Sequence, residues 1–155
     1  MIQIKFKNYL SFILFCIILS YPLSILTSDN EKNFFIIVNA ENYYKNNIDR
    51  GFRKVELIYK GNSKEWPGKL KATFFSREED NLAQQEFYKK VLKMQINEIK
   101  NYWERKIANG IYKPKVINNT RDLINEIARN KGSVAVISKW EIEKIPAKIR
   151  VLYEF

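Results

Sequence analysis

The sequence predicts a single α/β layered domain, a mixed sheet flanked by helices, over residues 33–155 of the 155-residue chain. Three observations lead there. Compact apolar runs of strand length stand near both ends of this body, in "NFFIIVNAEN" and "SVAVIS", and unbroken apolar runs mark strands covered on both faces. Between them, apolar residues recur at the period of helices buried on one side. Strand and helix signals alternate, separated by Gly, Pro and Asn, which is the pattern of a layered α/β sheet.

In chain order, the first strand begins at Asn33. After a polar link, "GFRKVELIYKG" places Val55, Ile58 and Tyr59 at helical spacing, with Gly61 as the stop signal. "NSKEWPGK" is a turn, with Trp66 set directly before Pro67 and Gly68, and "LKATFF", 70–75, is the second strand. Ala83, Phe87, Val91 and Met94 then form a core-facing stripe, which Ile96, Ile99, Trp103 and Ile107 repeat. Two helices, or one bent helix, therefore cover 81–107, with Phe87, Ile99 and Trp103 buried. "ANGIYKPKVINN" is loop. Thr120 is placed to cap a helix carrying Leu123, Ile124, Ile127 and Ala128, closed by Gly132. "SVAVIS", with Val134 and Val136, is an interior strand, and "AKIRVLYEF" ends the chain as another. Trp140 is expected to cover a strand edge, and Tyr43 and Tyr44 to lie on the surface. No internal repeat, low-complexity segment or linker follows residue 32.

Residues 1–28 form a separate unit. Lys5 and Lys7 precede an apolar run from Tyr9 to about Leu26, the basic and then apolar layout of an export signal. Leu26-Thr27-Ser28 fits a cleavage site only loosely, and the run approaches the ~20 residues of a membrane span. A signal peptide is the expectation and an N-terminal membrane anchor the alternative. Either places the body outside the cytoplasm, in the periplasm or on the extracytoplasmic face of the inner membrane. Membrane contact is expected only through this segment, if it is uncleaved.

Composition limits the chemistry. The chain has no His, and its one Cys, Cys16, lies in the apolar leader without the small residue before it that lipidation requires. The body thus lacks thiol nucleophiles, disulfides, His-based triads and the common zinc ligand sets. No enzymatic activity and no cofactor are expected, and an envelope enzyme built on carboxylates is the rival from another class. Glu78, Glu79 and Asp80 form an acidic run that reads as a solvated loop or a helix first turn before it reads as a metal site. Asn118-Asn119-Thr120 matches a glycosylation sequon, which matters only in a eukaryotic secretory route. The net charge of +10 falls to +8 without residues 1–28, which hold two lysines and no acid. The basic residues are interspersed with acids and form no stripe, so nucleic acid is not an expected partner.

The segments "IIVNAEN", "VELIYKGNSKEWPGK", "EFYKKVL", "YWERKIANGIYKP" and "ARNKGSVAVIS", in this order, carry a resemblance. Together they resemble a family of short exported proteins similar to the phosphate-binding proteins of ABC importers, over about residues 33–153. The resemblance implies one lobe of a type 2 periplasmic binding protein, and Trp66 resembles the family's Trp before a turn glycine, a structural position. In Gly132-Ser133-Val134-Ala135-Val136-Ile137 the family's second glycine is replaced by Ala or Val, which alters close backbone packing. The phosphate-binding lobe offers an Arg and then Ser-Gly-Thr at a helix N-terminus. Aligned on "EFY", Arg77 takes the Arg position, while Asn81, Leu82 and Ala83 stand where Ser, Gly and Thr would be. Both hydroxyls are gone, so the resemblance implies a degenerate phosphate site that binds an inorganic anion weakly. The expected role is binding of a ligand or an envelope protein, such as a transporter or sensor component. The alternative is a membrane-anchored accessory protein with a purely structural or interaction role.

Overall fold

The computed structural model describes residues 33–45 and 52–155. The export signal or anchor expected over residues 1–28 lies outside the described residues. Among those described, no helix is long and apolar enough to cross a membrane.

Five strands form one mixed sheet in the order β3-β2-β4-β1-β5. They are β1 (Phe34–Asn39), β2 (Thr73–Ser76), β3 (Lys115–Val116), β4 (Ser133–Ser138) and β5 (Ile149–Glu154). β2 runs parallel to both β3 and β4, with Ser76 opposite Val116 and Thr73 opposite Ser133. β1 is antiparallel to β4 and to β5, which puts the antiparallel pairs on one side of the sheet. The mixed α/β layer read from the apolar runs is the fold found.

The helices are α1 (Arg53–Tyr59), α2 (Leu82–Phe87), α3 (Ile96–Ala108) and α4 (Thr120–Arg129). α2 continues into a π-helical turn, Tyr88–Leu92. Lys93, in the left-handed region at φ 56°, breaks it from α3, so 81–107 holds two helices. The period-two alternation of the central strands sorts the core into two layers. Ile36, Val38, Val134 and Val136 point to the layer shared with Phe87, Ile99 and Trp103. Ile37, Ala135 and Ile137 face the other way, onto Leu123 and Ile127 of α4. β4 is buried along its whole length, as its unbroken apolar run requires.

Polar groups tie the layers together. The buried Tyr59 hydroxyl donates to the Phe75 carbonyl at 2.6 Å, fixing α1 to β2. Asn39 Nδ2 donates to the carbonyls of Ile127 and Ala128 in the last turn of α4, groups that have no partner inside the helix. Gly61, at φ +63°, ends α1 with its amide donating to Ile58, the left-handed stop its sequence position suggested.

Several expectations are corrected. The second strand is Thr73–Ser76 in place of 70–75, because Lys71 instead forms an isolated bridge with Glu65 as the turn closes. Lys115–Val116, read as loop, is a short strand, made by pairing with β2 and not by any local signal. The cap of α4 is Asn119, whose side chain accepts from the Asp122 amide, and Thr120 is the first helical residue. α4 ends at Arg129 with Asn130 as its C-cap, leaving Gly132 to a different task. Ile96 and Ile107 lie at the ends of α3 and are 40% and 51% exposed, beyond the reach of the sheet. Tyr43 is exposed, but Tyr44 is half-buried with its ring 5.0 Å from Trp66. Trp140 is 62% exposed and meets Phe34 edge-on at 5.6 Å.

Trp66 is buried, and its indole N–H donates to the Gly132 carbonyl at 2.8 Å. Its own amide donates to Leu70 at 2.7 Å across the Pro67-Gly68 turn. The side chain therefore pins the turn to the start of β4, which is the structural position its resemblance implied.

Candidate functional site

β2, β3 and β4 are parallel, so the segments leaving their carboxyl ends meet at one edge of the sheet. Open α/β sheets place their ligand crevices at such edges. Arg77 leaves β2, Asn118 and Thr120 follow β3, and Ser138, Trp140 and Glu141 stand at the end of β4 and in the 3₁₀ turn after it. With Glu78, Asp80, Asn81 and Leu82, all of these but Thr120 line a cleft of about 380 Å³.

Arg77 is only 6% exposed. Its Nη2 donates to the Asn118 carbonyl at 2.6 Å, to Thr120 Oγ1 at 3.2 Å and to Glu141 Oε1 at 2.7 Å. Its main-chain amide donates to Gln84 Oε1 at 2.8 Å. Arg77 Nε and Nη1 and Gln84 Nε2 are buried without a hydrogen-bond partner among the described residues. The guanidinium is thus held by one nitrogen with donors to spare.

Glu141 is fully used. Besides Arg77, its Oε1 accepts from Thr120 Oγ1 at 2.8 Å, and its Oε2 accepts from the Ser138 amide at 2.7 Å. Ser138 and Glu141 form a reciprocal capping box around the 3₁₀ turn, which fixes where the carboxylate points. Burial pushes the Glu141 carboxyl up, but the Ser138 amide, the Thr120 hydroxyl and the Arg77 charge outweigh it and hold the group below its ordinary value of 4.5.

The other site positions are arranged differently from a phosphate loop. Asn81 caps α2, its Oδ1 accepting from the Gln84 amide at 3.1 Å, so its side chain serves its own helix. Leu82 is 50% exposed at the cleft, where its side chain forms part of the lining. Ala83 is fully buried in the core and does not line the cleft. Glu78, Glu79 and Asp80 are exposed, and Glu78 and Asp80 face the same cleft. The structure therefore brings Arg77, Asn81 and Leu82 to one place and sets Ala83 behind it.

Sequence reasoning did not find Glu141, Thr120, Ser138, Asn118 or Gln84 as members of this site. A signal for two of them existed, since "SKWE" at 138–141 is a Ser-x-x-Glu capping pattern after a strand. The pairing of Glu141 with a residue 64 positions away had no local signal.

No family model matches the chain, and no curated protein matches it. Solved structures do. A protein from Clostridium perfringens, assigned as a phosphate ABC transporter substrate-binding protein and determined with bound phosphate, superposes with a TM-score of 0.55 at 11% identity. The match covers 77% of this chain and 44% of that one. An ABC-type phosphate transport receptor from Vibrio cholerae gives a TM-score of 0.48 at 16% identity, covering 77% of this chain and 45% of that one. PstS from Borrelia burgdorferi gives 0.46 at 13% identity, covering 69% and 40%. The fold resembles part of the Clostridium perfringens structure, a likeness of the kind the resemblance implied. The chain spans less than half the length of each of these structures. At such low identity the likeness concerns the fold and not the ligand.

Proposed function

We propose that this chain is an exported, phosphate-binding-protein-like domain that serves as a non-catalytic binding module at the cell envelope, with a degenerate phosphate site. The observation that carries the reading is the engagement of Arg77. Its guanidinium is turned onto Asn118, Thr120 and Glu141, so the one cation that lines the cleft among the described residues is already paired with a carboxylate of the same chain.

Two further features support it. Glu78 and Asp80 line the same cleft and oppose any anion that enters. The body lacks His and Cys, which leaves catalysis few groups to work with. We place its partner among envelope proteins, a transporter or sensor component, with a weakly held inorganic anion as the small ligand. Free phosphate is expected to bind no better than roughly millimolar, as titration calorimetry will read.

Export has its own test. A reporter enzyme active only outside the cytoplasm, fused after Phe155, is expected to be active, and the mass of the mature protein will distinguish cleavage near Ser28 from an intact anchor. A fusion that is produced but inactive would overturn the envelope assignment.

A further inference from the structure

We infer that Glu141 is the internal occupant of an oxyanion cradle and the residue that excludes external anions from the cleft. The inference rests on the reading of the cleft as a degenerate anion site and goes beyond it by naming what fills the site. A guanidinium N–H, a hydroxyl and a main-chain amide converge on the Glu141 carboxylate at 2.7, 2.8 and 2.7 Å. That is the donor set an oxyanion requires, charge-assisted on one side and supplied by fixed dipoles on the others. The donors come from three separate elements: Arg77 after β2, Thr120 at the start of α4, and Ser138 at the end of β4. What they share is this one carboxylate.

The surroundings fit an occupied anion site better than a simple surface ion pair. Exposed pairs involve freely solvated side chains and contribute little, whereas the side chains of Arg77 and Glu141 are 5% and 17% exposed. Arg77 Nε and Nη1 remain buried without partners among the described residues, so the guanidinium has more donors than the single carboxylate oxygen on it can use. The 3₁₀ turn presents Glu141 by its capping box with Ser138, independently of Arg77. Glu141 thus sits in the cradle because its own turn holds it there, and an external anion must displace a tethered carboxylate with a high effective concentration.

Chemical rescue tests this directly. Glu141→Ala removes the Cγ methylene and the carboxylate, the same heavy atoms as acetate, and leaves Arg77, Thr120 and Ser138 in place. In the full chain, solubilised in mild detergent, the melting temperature of Glu141→Ala is expected to rise by roughly 3 °C or more as acetate replaces chloride at constant ionic strength. The wild type and the double variant Arg77→Ala/Glu141→Ala are expected to show no such rise. Glu78 and Asp80 remain in the cleft of every variant, so the comparison isolates the cradle. A folded Glu141→Ala that responds equally to acetate and chloride, or a double variant rescued as well as the single, overturns the inference.

If Glu141→Ala folds only in acetate, that also supports it. If it folds in neither salt, Glu141→Gln decides, because the amide keeps the shape but has one acceptor oxygen for three donors. It is expected to melt below the wild type at neutral pH and to converge with it as pH falls through the folded-state value of Glu141, below 4.5. A Glu141→Gln variant that matches the wild type at every pH overturns the inference. Tight phosphate binding by the wild type would instead sink the underlying reading of the cleft, whatever the variants do.

Discussion

Trp103→Ala is expected to destabilise the domain by about 3–5 kcal/mol, the range for truncating a large buried aromatic. Trp103 is 3% exposed on the inner face of α3, and its ring stacks on Phe74 of β2 at 6.1 Å with an interplanar angle of 27°. Truncation removes that contact and opens a cavity between helix and sheet. Ile99, one turn earlier, is equally committed to the core and cannot move to fill it. Denaturant unfolding with the slope held constant measures the loss. A change under about 1 kcal/mol would mean that the helix is rotated about its axis from the register described here.

Gly132→Ala is expected to cost about 3 kcal/mol or more, by overpacking against rigid backbone. A Cβ at Gly132 would stand 1.8 Å from the Lys71 carbonyl oxygen. The obstacle is main chain, so it cannot swing aside as a side chain would. The same residue's carbonyl accepts from the Thr73 amide at 3.0 Å and the Trp66 indole at 2.8 Å. Pushing Gly132 away thus loosens the first rung between β2 and β4 and the anchor of the Trp66 turn together. The same unfolding measurement applies, and a stability equal to the wild type would contradict the close approach of these two segments.

The fold was readable where the physics is local. Strands β1 and β4 are short apolar runs covered on both faces, and Phe87, Ile99 and Trp103 repeat at the helical period because they share one buried side. Reading failed where pairing across the sheet decides. β3 is a strand only because Ser76 and Val116 lie opposite one another, and nothing in "KPKVINN" signals that. Gly132 was read as a helix stop, but its need for glycine comes from Lys71, 61 positions earlier in sequence and adjacent in space.

The site divides in the same way. Arg77 and the missing hydroxyls at 81–83 both come from the resemblance. Glu141 does not, because its meeting with Arg77 depends on the parallel arrangement of β2 and β4. The proposed degeneracy of the site would have two sources. One is the absence of the Ser and Thr that the resemblance places at positions 81 and 83. The other is visible only in the fold, the Glu141 carboxylate on the Arg77 guanidinium.

Whether the cleft takes phosphate decides between a degenerate anion site and a working one. Titration calorimetry of the purified protein with inorganic phosphate addresses this most directly, because Arg77 is a cation that lines the cleft and Glu141 already accepts from it at 2.7 Å. With the carboxylate in place and Glu78 and Asp80 beside it, the expected result is no saturable heat below roughly millimolar phosphate. Micromolar binding to the wild type, abolished by Arg77→Ala, would contradict the account and return the protein to a transport-type role.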